Sequence, residues 1–397
     1  MIQTATFWLL LLGTATGFWL APARMRMGLL GLASFAYIFW LAPLSAAALA
    51  LLAAIFFFAA PRAARSAQRG RWITLGVCLL ALAWLAYFKY VPPVVHYLTT
   101  GSPAGHLLIP LGISFYTFKL VHYALEVSRG RITDRSFPSF FCYLFLFPIF
   151  TAGPIERFDH FLANRSARLT REDLAEGLTR IIHGLIKKFV IAEMVVMSQL
   201  RTVTDGGILL QRLDDLPTHK VWAFCLLMFL YGYFDFAAYS DIAIGACRLM
   251  GIRIMENFNW PILARNIGDF WKRWHMTLAG WCQAYVYMPM IGVTRNPWLA
   301  IYATFGVMGL WHAGSLHWIA WGLYHATGVA VYLRWLQVKR KRKWTWIDRP
   351  WFWPVGVAMT WAFFAGSVAF TAIHGHGTFT DSLRVWAKML GMYGLTS

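Results

Sequence analysis

The sequence predicts an all-α, polytopic membrane protein, and three observations predict it. Of its 397 residues, 59% are hydrophobic and only 13% charged, against about 25% charged in an ordinary soluble domain. Mean hydropathy is +0.53. The apolar residues also gather into runs of bilayer-crossing length, about 20 residues, separated by short stretches rich in arginine and lysine. We read one domain over 1–397, with N-terminal helices in 1–106, a core in 107–345 and a last helix with an interfacial tail in 346–397.

The net charge of +19 would suggest nucleic acid in a soluble protein. Here the basic residues sit in loops between apolar runs, which fits cytoplasmic loops facing an anionic leaflet. A nucleic-acid partner is therefore not expected. The five cysteines are scattered and form no CxxC pair, so free buried thiols are expected.

Ala5–Ala21 is the first apolar run, and with no basic segment before it the sequence suggests a retained span rather than a signal peptide. Arg24 and Arg26 follow. The long run Gly28–Ala60 is broken only at Pro43; two passes would put both flanking arginine loops on one face, as positive-inside bias favours. Trp72–Phe88 then crosses outward. Val91–His106 lacks Lys and Arg and carries Pro92-Pro93 and Gly101-Ser-Pro103, so it reads as an outside loop. Leu107 to about Val127 returns.

Phe137–Thr151 is short, holds Pro138 and Pro148, and is basic on both flanks. That pattern predicts a re-entrant segment, the alternative being a cytoplasmic amphipathic piece. Leu174–Leu200 reads as helix, Arg201–Lys220 as a polar outside loop, and Val221–Tyr239 as a crossing. Trp274–Met290, interrupted by Gln283 and Pro289, is a second candidate re-entrant piece. Trp298–Gly314 and Leu316–Leu336 form a helical pair, and the Lys339–Lys343 basic run marks the inside. Trp351–Thr371 goes outward, and Leu383–Leu390 is amphipathic and interfacial. These assignments place the N-terminus outside.

Three polar clusters stand in this apolar context. Asp235 and Asp241 lie in Tyr231–Asp241; intramembrane acids are costly and usually paired, and arginines such as Arg248 or Arg253 are the plain structural partners. Phe270-Trp-Lys-Arg-Trp-His275 reads either as interfacial anchoring or as a functional histidine. In Gly309-Leu-Trp-His-Ala-Gly-Ser-Leu-His317, His312 follows Trp311 at the hinge of the helical pair, with His325 thirteen residues on. The spacing suits no zinc site, no metal is expected, and no nucleophile motif is present. General-base chemistry by a histidine remains.

These blocks resemble the membrane-bound O-acyltransferase family, in its bacterial branch of alginate O-acetylation and teichoic-acid D-alanyl transfer proteins. The resemblance runs from about Ala33 to Phe370. It rests on Pro110–Phe118 with Arg129-Gly130, Phe147–Pro154, Tyr233–Gly245, Glu256-Asn257-Phe-Asn259 with Phe270–His275, and Gly309–His312 with Trp321–His325. It implies a ring of helices with re-entrant segments around a thin central funnel, and it implies that His312 is catalytic and His275 the second active-site histidine. His325, Trp311, Trp274, Asp241, Asp235 and Asn257 are implied supporting residues.

The implied activity moves an acyl group, acetyl in the first place, from a cytoplasmic thioester to a hydroxyl of an extracytoplasmic polysaccharide or a relay protein. Acetyl-CoA or an acyl carrier protein would be the donor, as substrate rather than resident cofactor. A periplasmic or membrane-anchored partner acyltransferase and a bacterial inner-membrane location are also implied. D-alanyl transfer is the alternative within the class; a transporter, or a scaffold of a polysaccharide export complex, is the alternative outside it. The sequence departs from the family pattern at Trp281-Cys-Gln-Ala-Tyr285, where an Arg-Asp pair is usual, and at Ala313.

Overall fold

A computed structural model describes residues 2–64, 67–100, 109–204 and 208–392. Regular structure there is helical; among the described residues there is no strand, only two isolated bridge pairs. Among the described residues, four helices are long and apolar enough to cross a bilayer: Pro43–Ala60, Gly70–Pro92, Thr218–Leu249 and Pro350–Thr371. The protein is thus an all-α membrane protein. The chain divides into two compact units, 1–184 with 239–256, and 185–238 with 257–397.

In the first unit the Gly28–Ala60 run breaks where the sequence predicts. Helix Arg26–Leu41 ends at Ala42, and Pro43 opens helix Pro43–Ala64, as suits a residue whose missing N–H is harmless at a helix start. Helix Ala67–Thr100 overturns part of the outside-loop expectation. It runs on through Pro92-Pro93 because, away from water, helix is the cheapest way to pair the backbone even at the cost of a proline. The Gly101–Pro103 turn lies outside the described residues. The returning helix is Ile113–Ser128, starting later than expected. Gly112 before it has φ 74°, and a Cβ there would lie 2.8 Å from the Phe150 ring, so only glycine fits.

Helix Phe137–Phe145 is nine residues long and gives way at Leu146 to a single 3₁₀ turn, Phe147–Ile149. From Cys142 to Ile149 every large side chain is fully buried. Non-helical backbone enclosed by protein is the condition under which such a segment can lie at membrane depth. Tyr123, Phe140, Tyr143 and Phe158 form its aromatic surround.

Helix Arg171–Leu185 passes without interruption into a π-helix, Ile186–Met197, and then helix Ser198–Val203. The unit boundary falls inside this helical run, and a second boundary falls inside helix Thr218–Leu249. In the second unit, Trp274–Met290 is one helical run: Met276–Cys282, a π-helical Gln283–Tyr287, and Met288–Thr294. Helices Pro297–His312 and Leu316–Arg342 form the expected pair, hinged at 313–315. They cross closely because neither contact position carries a side chain. A Cβ on Gly309 would sit 2.3 Å from the Trp318 carbonyl oxygen, and one on Gly322 would sit 2.5 Å from that of Phe305. Small residues at such crossings are how membrane helices approach.

Helix Phe379–Met389 turns its apolar face onto protein. Val385 and Met389 join the core formed by Val221, Cys225, Phe229, Phe270 and Phe364, while Leu383 and Leu390 stay exposed. The indole N–H of Trp222 donates to Met389 O and that of Trp386 to Gly366 O. All five cysteines are free and buried.

Candidate active site

His275 sits where two stretches of irregular chain are clamped together. Asn259 N–H donates to Arg273 O and Met276 N–H to Asn257 O, each at 2.9 Å. Just upstream, the Asn266 side chain caps the short helix Ile267–Trp271 by accepting from Asp269 N–H. His275 follows with φ 42°, a left-handed conformation costing a side-chain-bearing residue about 1–2 kcal/mol. The clamp holds it there and so fixes the ring's direction.

The ring is 3% exposed. Asn257 Oδ1 lies 2.9 Å from His275 Nδ1 and accepts from the Thr277 hydroxyl at 2.8 Å. With Asn257 as acceptor, Nδ1 carries the proton and the Nε2 lone pair is left to act as a base. Phe236 meets the ring edge to face at 4.8 Å, and Trp311 lies 6.1 Å away.

His312 is the last residue of helix Pro297–His312 and is half-buried. Its ring stacks on Trp318 at 4.2 Å and 13°, and contacts Trp311 at 4.7 Å and Trp321 at 5.4 Å. The Gly309 crossing brings Trp318 to this position. Trp311 thus touches both histidines, and His275 and His312 belong to one aromatic cluster.

His325 continues the same cluster through Trp321 at 4.6 Å. It is fully buried among Trp271, Phe305, Phe363 and Phe364. Neither ring nitrogen has a hydrogen-bond partner among the described residues. Trp274 packs against Phe258, Phe270 and Tyr233, and so holds the segment that carries His275.

The two aspartates are held in ion pairs. Asp235 accepts from Lys188 Nζ at 2.5 Å, and the same ammonium reaches Glu193 at 2.8 Å. Asp241 belongs to the other unit and pairs with Arg180 at 2.6 Å; Arg180 also binds Glu256. Both acids are paired, as the structural alternative had it, Asp241 with an arginine other than the two named and Asp235 with a lysine. Arg248 instead holds Asp173 and Glu176, because it stands on the same helix face as Asp241 but two turns, about 10 Å, further along, beside an earlier part of helix Arg171–Leu185. Sequence reasoning missed Thr277 and Phe236. The only available signals were a hydroxyl two residues after His275 and an aromatic beside Asp235.

Two imidazoles in a largely water-excluded aromatic setting, one with its tautomer set, are equipped to take and return a proton. Among the described residues no cluster of three histidine, cysteine or acidic side chains could hold a metal.

The chain matches the model of the membrane-bound O-acyltransferase family over residues 38–374. It is 35% identical over 336 residues to a probable alginate O-acetylase of Azotobacter vinelandii, covering 79% of this chain and 64% of that protein. It is 30% identical over 260 residues to the teichoic acid D-alanyltransferase of Bacillus subtilis, covering 61% of this chain and 63% of that one. With the peptidoglycan O-acetyltransferase of Helicobacter pylori it shares 27% over 374 residues, 83% and 67% of the two chains. The chain therefore spans between about half and two thirds of the length of these curated relatives.

Proposed function

This chain belongs to the membrane-bound O-acyltransferase family, and from that premise we propose that it transfers an acyl group from a cytoplasmic thioester to a hydroxyl on an extracytoplasmic polymer or relay protein. The observation that carries the reading is the pairing of His275, its tautomer set by Asn257, with His312 through the shared Trp311.

In the proposed reaction His312 takes the proton of the acceptor hydroxyl as its oxygen attacks the thioester carbonyl carbon. The tetrahedral centre then collapses, the C–S bond breaks, and the proton passes to the departing thiolate. One ester and one thiol replace one thioester and one alcohol, with no net proton. His275 also meets Trp311 and would orient or hydrogen-bond a reacting oxygen. General-base assistance of this kind supplies about 10² to 10⁴ in rate, and alignment of donor and acceptor would supply much of the rest.

Acetyl is the favoured group, since relatives named for alginate and for peptidoglycan both carry acetyl transfer in their names. The D-alanyltransferase relative supports D-alanyl transfer from a carrier protein as the second reading. The setting we propose is a bacterial inner membrane, with the basic loops inside, the N-terminus outside, and a funnel through a ring of helices joining donor and acceptor. A periplasmic or membrane-anchored acyltransferase would receive the group.

The deciding experiment is His312→Ala in the native host, with surface polymers analysed by mass spectrometry. We expect ester content to fall by about 100-fold or more while the protein still inserts and elutes as before. Unchanged esterification would favour a scaffold or transporter instead. The mass of the lost group names the acyl donor class.

A further inference from the structure

The second unit holds a cavity of about 840 Å³ that the acyl-transfer reading does not use. It lies between helices Leu316–Arg342 and Trp353–Thr371, with the Arg265–Ile267 backbone along one side. Its volume falls within the roughly 300–1,000 Å³ of small-molecule sites. Lys339 stands at one end and Tyr324 near the other; fifteen residues of helix between them make a slot of roughly 22 Å. That exceeds the roughly 15 Å of one leaflet in a hydrocarbon core about 30 Å thick, so the slot has length for an extended acyl chain.

The two ends differ in chemistry. At the Lys339 end the helix finishes in Lys339–Lys343, and Arg334 and Arg349 flank it, against Asp348 on the same stretch and Asp269, which also pairs with Arg273. Lys339 pairs with Asp348, which is itself mostly exposed. Arg265 is exposed and lies over the Trp353 ring at 4.3 Å, while its backbone N–H donates to the Asp269 carboxylate at 3.3 Å. Trp335, Trp346, Trp351 and Trp353 are exposed around this end, as tryptophans are at a membrane–water interface. Along the slot Val331, Val355 and Met359 are exposed and apolar.

The deep end is closed. Tyr324 stacks on Phe363 at 4.4 Å and donates its hydroxyl proton to Phe363 O. The same two rings pack on His325, so the slot is floored by the residues that separate it from the histidine cluster. His312 is not among the residues that line the slot.

We propose that this cavity binds an anionic glycerophospholipid, its phosphate between Arg265 and Lys339 and one acyl chain running along the slot toward Tyr324. A basic cluster at a helix end attracts anionic headgroups, and an apolar slot long enough for an extended chain takes the acyl part, so both halves of the lipid are matched. A second copy of this chain would need a matching acidic rim, which the basic surplus disfavours.

The test uses the full chain in mild detergent, titrated with phosphatidylglycerol or phosphatidylcholine of identical chains, with retained lipid counted by native mass spectrometry. The wild type should retain one phosphatidylglycerol with about a tenfold preference. Arg265→Gln with Lys339→Gln should bring the preference near parity. Met359→Trp, which fills the slot without touching a charge, should cut retention of both lipids. Circular dichroism and elution volume check that each variant is folded. Equal retention of the two lipids by the wild type would overturn the proposal, as would an unchanged preference in the double variant. So would displacement of phosphatidylglycerol by inorganic phosphate alone, or a dimer forming in place of the lipid adduct.

Discussion

The side-chain oxygen of Asn257 lies 2.9 Å from His275 Nδ1, and that one contact decides which ring nitrogen keeps its lone pair. Asn257→Ala should therefore leave His275 buried but free to take either tautomer. We expect kcat to fall by about 10- to 100-fold, the usual cost of losing a partner that orients a histidine, with little change in KM. Thr277→Val removes only the second donor to Asn257 and should cost less than tenfold. Steady-state kinetics on the purified protein reads both.

His325 gives the opposite expectation for stability. Its nitrogens have no hydrogen-bond partner among the described residues and its walls are aromatic. Replacing a buried unsatisfied polar group by an apolar one of similar shape is near neutral or stabilising, by about 1 kcal/mol. His325→Phe should match or exceed the wild-type melting temperature. If activity nevertheless drops as far as in His312→Ala, His325 joins the chemistry.

Gly309→Ala should act through geometry. Its Cβ would meet the Trp318 carbonyl at 2.3 Å, so the two helices must part or shift. Overpacking of this kind costs about 1–3 kcal/mol. Because Trp318 also stacks on His312, activity should fall along with thermal stability. Gly306→Ala, three residues away with open space at its Cβ, is the control and should change neither.

Lys188 holds two carboxylates, so its loss and the loss of one of them should differ. Lys188→Met leaves Asp235 and Glu193 close together without a cation. We expect a cost of about 1–3 kcal/mol, below the 3–5 of a fully buried pair because both acids are partly exposed. Asp235→Asn leaves Glu193 in place and should cost under about 1 kcal/mol. Thermal unfolding in detergent ranks the two, and a larger effect for Asp235→Asn would contradict the ion-pair account.

One pH dependence follows from helix Phe379–Met389. The Thr378 hydroxyl and then its N–H bind the Asp381 carboxylate, and Arg384 adds to them, which holds Asp381 below the usual carboxylate range. A lowered carboxylate contributes stability above its ordinary pKa near 3.9 and loses it as pH falls through the native value. Melting temperature should thus decline on acidification below about pH 4. Asp381→Asn should weaken that acid decline and cost about 1 kcal/mol at neutral pH through the lost capping box.

Much of the fold was legible where residue chemistry acts locally. Pro43 had to start a helix, and Ala313-Gly314-Ser315 had to end one. The short proline-flanked Phe137–Thr151 could not be a full span. Local reasoning failed where a distant partner decides. Pro92-Pro93 reads as a turn only if water can pay the unpaired carbonyls. Asp241 was paired by nearness in sequence, whereas Arg180 reaches it from another helix. The histidines were visible as polar rings in apolar runs, yet the tautomer of His275 depends on Asn257 from the preceding segment, and no periodicity announces that.

The π-helix Ile186–Met197 carries a further consequence. Wound one residue looser per hydrogen-bonded ring than an α-helix, it amounts to an insertion absorbed without a loop. Homologous chains that differ by a residue here can keep both flanking helices and still align. Deleting one residue inside it would let the segment rewind, turning Lys188 relative to everything downstream. The spare residue is a length polymorphism in waiting, and the Lys188–Asp235 contact is what such a deletion would put out of register.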